Sequence, residues 1–139
     1  MKTLHPAYRI RDLTRSIDFY KRVGFQLVGR VEVAGGATLL MLNLPGDGDV
    51  VTLELVHDLD QPLDVGNGFS HLAVQVDDLT ATLARLAENG VAFSEPELPG
   101  GNGGPKTSFV HDPDGYRIEL VQWPPGHPDA MTRADFLAP

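Results

Sequence analysis

Residues 11–20 read Arg11-Asp12-Leu13-Thr14-Arg15-Ser16-Ile17-Asp18-Phe19-Tyr20, and they decide the fold because their opening word comes twice. Asp12-Leu13-Thr14 returns as Asp78-Leu79-Thr80, 66 residues on. At that same offset His5 falls on His71, and Gly24-Phe25 falls on Gly90-Val91. Toward the end of each half, Val51-Thr52-Leu53-Glu54-Leu55-Val56 matches Tyr116-Arg117-Ile118-Glu119-Leu120-Val121 at an offset of 65. Two copies are too few for a solenoid, which needs ~3 or more units. They predict one module written twice and packed into a single domain.

Each module reads as βαβββ. A short alternating stretch (Thr3 to Arg9, or Phe69 to Val76) predicts a strand. Asp12 and Asp78 are natural N-caps, because a carboxylate accepts the orphan amides of a first helical turn. Leu13, Ile17 and Tyr20 then recur at helical spacing, as do Leu79, Leu83 and Leu86. Gly24 and Gly90 supply the left-handed residue that ends each helix. Strands are expected at 26–32, 37–43 and 50–56, then at 92–94, 107–110 and 116–122. Pro6 cannot donate to a ladder, so the first strand should lie at an edge or start early. The resulting boundaries are module 1 at residues 1–57, a polar linker at 58–67, module 2 at 68–123 and a proline-rich arm at 124–139 with no periodicity of its own. The four glycines between Pro99 and Pro105 predict a mobile loop.

Composition narrows the chemistry. The chain has 139 residues, 42% of them hydrophobic and 22% charged, which suits a globular domain with its own core. It has no cysteine, which excludes disulfides, thiolate metal sites and a cysteine nucleophile. A net charge of −8 gives no attraction to phosphate backbones, so neither nucleic acid nor a membrane surface is expected as a partner. No apolar run approaches the ~18 residues of a membrane span. The first residues lack the apolar stretch of a secretory signal, and a cytoplasmic location is expected. There is no phosphate-binding Gly-Lys-Ser/Thr element and no nucleophile elbow.

The repeat preserves two histidines and two glutamates. His5 and His71 sit on the first strand of each module, Glu54 and Glu119 on the last. A single glutamate in a strand would ordinarily face solvent, and a single histidine would ordinarily be a satisfied core or surface residue. Here all four align under an offset set independently by helix caps and apolar positions. A carboxylate hemmed by apolar neighbours is costly to bury unless it is paired or bound to a metal. Two imidazoles and two carboxylates suit nickel, cobalt, iron, manganese or zinc, with room left for water or a bidentate oxygen ligand. His57, His111 and His127 have no counterpart under the repeat and read as surface residues.

These words resemble the vicinal oxygen chelate superfamily and, within it, glyoxalase I (lactoylglutathione lyase) of the short bacterial type. The resemblance spans about residues 1–123, through the helix word at 11–20, Thr52-Leu53-Glu54-Leu55, His71-Leu72-Ala73-Val74 and Asp112-Pro113-Asp114-Gly115-Tyr116-Arg117-Ile118-Glu119-Leu120. It implies an α+β fold in which two tandem βαβββ modules form a curved, barrel-like mixed sheet. It implies a divalent metal, nickel or cobalt before zinc, held by His5, Glu54, His71 and Glu119. It implies a homodimer with inter-subunit sites, His5 and Glu54 of one chain meeting His71 and Glu119 of the other. The implied reaction converts the hemithioacetal of methylglyoxal and a low-molecular-weight thiol to an S-lactoyl thioester by enediolate proton transfer. Glu119 is then the leading base and Glu54 the assisting one.

Three further positions bear on the substrate. Arg9 shares a strand face with His5 and is a candidate for a thiol carboxylate. Asp58 stands where glutathione-using relatives carry asparagine, and Lys106 follows the glycine-rich loop that in those relatives carries an early lysine. These departures leave glutathione, mycothiol or another thiol open. Other readings on the same fold are an epimerase, a dioxygenase or a non-catalytic binder of small molecules or drugs.

Overall fold

The computed structural model describes residues 1–137; the last two residues of the expected arm lie outside them. The class is α+β, in the order β1 (Ala7–Ile10), α1 (Leu13–Val23), β2 (Gln26–Glu32), β3 (Thr38–Asn43), β4 (Leu53–His57), β5 (Leu72–Gln75), α2 (Leu79–Glu88), β6 (Lys106–His111) and β7 (Arg117–Gln122). The chain divides into two compact units. The first comprises Met1–Ser70 with Asp112–Tyr116, and the second comprises His71–His111 with Arg117–Pro139. Among the described residues, no helix is long and apolar enough to cross a membrane.

The first unit holds a mixed sheet in the order β1-β4-β3-β2. β1 runs parallel to β4, and the other pairs are antiparallel. β1 is an edge strand, as Pro6 requires; it starts at Ala7, and the Pro6 carbonyl accepts from the Glu54 amide at 3.1 Å. Asp12 caps α1 by accepting from the Arg15 amide at 2.9 Å, and Gly24 closes it at φ 130°. Leu40, Leu42, Leu53 and Leu55 are at most 1% exposed, each contributing about 1.5–3 kcal/mol of transfer free energy.

A polar chain runs through this core. The Tyr20 hydroxyl donates to Asp112 Oδ2 at 2.9 Å, so its contact with the Tyr8 hydroxyl at 2.5 Å must have Tyr8 as donor. Asp112 Oδ1 accepts from the Asp114 and Tyr116 amides at 2.9 and 2.8 Å. Burial pushes the Asp112 carboxyl above its ordinary range, and burial likewise raises both tyrosines.

The second unit holds a mixed sheet in the order β5-β7-β6, β5 parallel and β6 antiparallel to β7. Asp78 caps α2 through the Ala81 amide at 3.0 Å, and the helix buries Leu79, Leu83 and Leu86, the three positions expected from spacing. Gln122 Oε1 receives the Leu79 amide at 2.7 Å, which ties the helix start to β7. The strand expected at 92–94 does not form a ladder. The Ser94 amide still donates to the Phe109 carbonyl at 2.9 Å, but the return bond goes to its side chain: Ser94 Oγ accepts from the Phe109 amide at 2.9 Å, while Ser108 Oγ donates to the Ser94 carbonyl at 2.6 Å. Pro96 then removes a donor, and pairing resumes only as an isolated bridge between Glu97 and Thr107.

Candidate metal centre

The two units place a histidine beside a glutamate by the same register. In the first unit Ala7 pairs with Glu54 across the parallel β1–β4 ladder, and His5 lies two residues before Ala7. In the second, Ala73 pairs with Glu119 across β5–β7, and His71 lies two residues before Ala73. Residues two apart on an extended chain share a face. Each histidine therefore reaches along the edge toward the glutamate, over a small alanine. Both histidines lie just ahead of their strands, not within them as expected.

His5 Nε2 lies 2.9 Å from Glu54 Oε2, and His71 Nε2 lies 3.7 Å from Glu119 Oε2. An ionised carboxylate only accepts, so the first contact has the proton on Nε2. The second is too long for a hydrogen bond. The donor chemistry fits a divalent ion: bonds of about 2.1 Å at right angles separate neighbouring ligand atoms by about 3 Å, which matches the 2.9 Å of the first pair, while the second pair at 3.7 Å stands wider. All four side chains are part-buried, reachable by an ion yet sheltered from bulk water. Among the described residues, no group of three or more metal-ligating side chains converges, so each unit offers a pair of ligands.

The other expected positions fall differently. Arg9 lies on the Glu54 face of β1, one same-face step beyond Ala7 and paired with Val56; it is exposed. Asp58 turns inward on its own loop, its Oδ1 accepting from the Asp60 amide at 3.0 Å. Lys106 pairs with Gln122 on β7, and both alternate onto the face opposite Phe109 and Glu119. The structure therefore does not bring Lys106 to the Glu119 face. His57 alternates away from Glu54, His111 pairs with Arg117 beside the turn, and His127 is engaged by Asp135 Oδ1 at 2.8 Å within the arm.

Two-residue alternation puts Arg117 on the Glu119 face, and the structure adds a neighbour that the sequence reading missed. Phe109 pairs directly with Glu119 and meets the His71 ring edge-on at 5.8 Å. Arg117, two residues before Glu119, stacks its guanidinium over Phe109 at 4.0 Å. Phe109 needed the cross-strand register.

Comparison with known proteins agrees with this architecture. Residues 2–120 match the model of the Glyoxalase/Bleomycin resistance protein/Dioxygenase superfamily. A lactoylglutathione lyase of Neisseria meningitidis is 36% identical over 125 residues, covering 88% of this chain and 91% of that protein. The trypanothione-dependent glyoxalase I of Leishmania major superposes with a TM-score of 0.70 at 30% identity, covering 88% of this chain and 86% of that one. TnmS3, an antibiotic-binding protein from Streptomyces sp. CB03234, superposes with a TM-score of 0.69 at 26% identity, covering 88% and 97%. The chain belongs to the Glyoxalase/Bleomycin resistance protein/Dioxygenase superfamily and, within it, to the lactoylglutathione lyase family of glyoxalase I-like enzymes.

Proposed function

We propose that this chain isomerises the hemithioacetal of methylglyoxal and a low-molecular-weight thiol to the S-lactoyl thioester. The carrying observation is the duplicated pair, His5 with Glu54 and His71 with Glu119, set by one register in both units. Together these four side chains would hold a divalent metal, nickel or cobalt by preference and zinc as a further candidate. When bound, the metal supplies Lewis-acid stabilisation of negative charge on the adduct's two neighbouring oxygens.

The protein's own residues then move a proton between the two carbons. Glu119 removes the hydrogen on C1, next to sulfur, and the proton returns to C2. The C1 hydroxyl gives up its proton to become the thioester carbonyl and the C2 oxygen takes a proton up to become a hydroxyl, so C1 is oxidised at the expense of C2 and no external oxidant or reductant is needed. Glu54 is the matching carboxylate from the first module and assists. Phe109 beside Glu119 excludes water on one side of the base. Arg9, exposed on the Glu54 face, supplies a charge for the thiol's carboxylate. With Asp58 turned to its own loop, no asparagine-like contact to a peptide thiol is built there.

The test is thioester formation, followed by absorbance, with metal-loaded protein and a panel of thiols. Activity with one thiol that falls at least 100-fold in Glu119→Gln supports the reading. No thioester with any thiol and any of the three metals overturns it. The relation to TnmS3 supports a second reading, a non-catalytic binder; unchanged ligand affinity in Glu119→Gln without turnover favours that one.

The four ligands come together, in this proposal, across a homodimer in the cytoplasm. Mixing settles it. A chain lacking the first pair (H5A/E54Q) and a chain lacking the second (H71A/E119Q) are each inactive. A mixed dimer with inter-subunit sites regains one intact site of two, whereas sites built within one chain regain none.

A further inference from the structure

The arm that follows β7 carries no periodicity, yet it is tied down by one side chain on the Glu119 face. Gln75 ends β5, pairs with Val121 and lies one same-face step from Ala73, the partner of Glu119. Two residues of extended chain span about 7 Å, so Gln75 stands at the next station along that face. Three of its four hydrogen-bonding positions are taken by the segment that follows β7. Oε1 accepts from Trp123 Nε1 at 2.9 Å and from the Ala130 amide at 2.8 Å, while Nε2 donates to Asp129 Oδ1 at 2.8 Å. Within the arm, His127 stacks on Trp123 at 4.5 Å and contacts Asp135, which in turn accepts from the Thr132 amide at 2.6 Å.

Burial along the face is uneven in the way this anchoring predicts. Val121 and Thr107, paired beside Gln75, are 7% and 4% exposed. Ala73, Glu119 and Phe109, one step along, are not buried. The buried residues of the face lie at the anchored end, and the Glu119 end is open to a ligand. Gln75 occupies in module 2 the position Arg9 occupies in module 1; both are exposed, but Gln75 is hydrogen-bonded to the arm.

We propose that Gln75 is a specificity-determining positioning residue: it pins the arm as a wall at one end of the Glu119 face, and this wall limits the length of the thiol the site accepts. The inference rests on the thiol-adduct reading above. Gln75 acts through the arm and touches no reacting atom. Asp129, held at the wall, adds a negative charge that disfavours a second carboxylate at that end.

The test uses metal-loaded full-length protein and two unreactive thioethers, S-methyl-N-acetylcysteine as the compact probe and S-methylglutathione as the long one, titrated by calorimetry. Gln75→Leu and Asp129→Ala should each raise affinity for the long probe relative to the compact one by about tenfold. The double variant Q75E/D129N exchanges donor for acceptor across that contact and should restore the original ratio. The chain's only tryptophan, Trp123, reports arm docking by emission and acrylamide quenching without any turnover. Release of the arm with an unchanged affinity ratio overturns the proposal, as does failure of the wild type to bind either probe. Absence of thioester formation with the ratio shifted as expected would sink the lyase reading and leave the wall standing.

Discussion

Removing one buried oxygen, in Tyr20→Phe, should destabilise the first unit by an amount that its hydrogen bonds define. Tyr20 is 0% exposed and Asp112 is 5% exposed, so neither loses a partner to water. The Tyr20 hydroxyl accepts from Tyr8 and donates to Asp112. A neutral bond is worth about 1 kcal/mol and one to a charged group about 1.5–3, so Tyr20→Phe should cost about 2.5–4 kcal/mol. The ring stays, so no cavity term is added. Tyr8→Phe removes only the neutral bond and should cost about 1 kcal/mol. In the Tyr20→Phe background the Tyr8 hydroxyl has already lost its acceptor, so Tyr8→Phe should then be close to neutral, a coupling of about 1 kcal/mol. Urea unfolding followed by far-ultraviolet circular dichroism measures all four species, with an unchanged slope confirming that only stability moved. A Tyr20→Phe loss below about 0.5 kcal/mol, or strictly additive effects, would refute the donor chain.

The same carboxyl gives a pH signature. Burial raises the Asp112 pKa in the folded state, so its contribution is fully present below the unfolded carboxylate value and is lost as pH rises through the folded value. Stability of wild type relative to Asp112→Asn should therefore improve on going from about pH 7 toward about pH 4; denaturant curves at each pH check the sign. Asp78→Ala removes the cap on the Ala81 amide and should cost about 1 kcal/mol, read as a fall in the unfolding midpoint, with Asp78→Asn nearly neutral. His5→Ala and Glu119→Ala should each lower metal content in the purified protein, whereas Asp58→Ala, whose carboxylate binds its own loop, should leave it unchanged; metal analysis of dialysed samples decides.

The parts of this protein that were legible in its residues are those with local causes. Asp12 and Asp78 cap helices through amides three residues away, and Leu79, Leu83 and Leu86 lie on one helical face whatever surrounds them. Duplication did the rest: a histidine and a glutamate recurring at one offset singled out His5, Glu54, His71 and Glu119 before any strand was paired. Tertiary structure decided what depends on register and distance along the chain. The pairing of Ala7 with Glu54 and of Ala73 with Glu119 brings each histidine to its glutamate, and a shift of one residue would send the carboxylates to the opposite face. The same alternation takes Lys106 away from Glu119 and brings Phe109 beside it. Tyr20 finds Asp112 across 92 residues, and Gln75 finds Ala130 across 55. Neither contact has a period or a motif, because a hydrogen bond asks only for two groups at the right distance, and only the folded chain sets that distance.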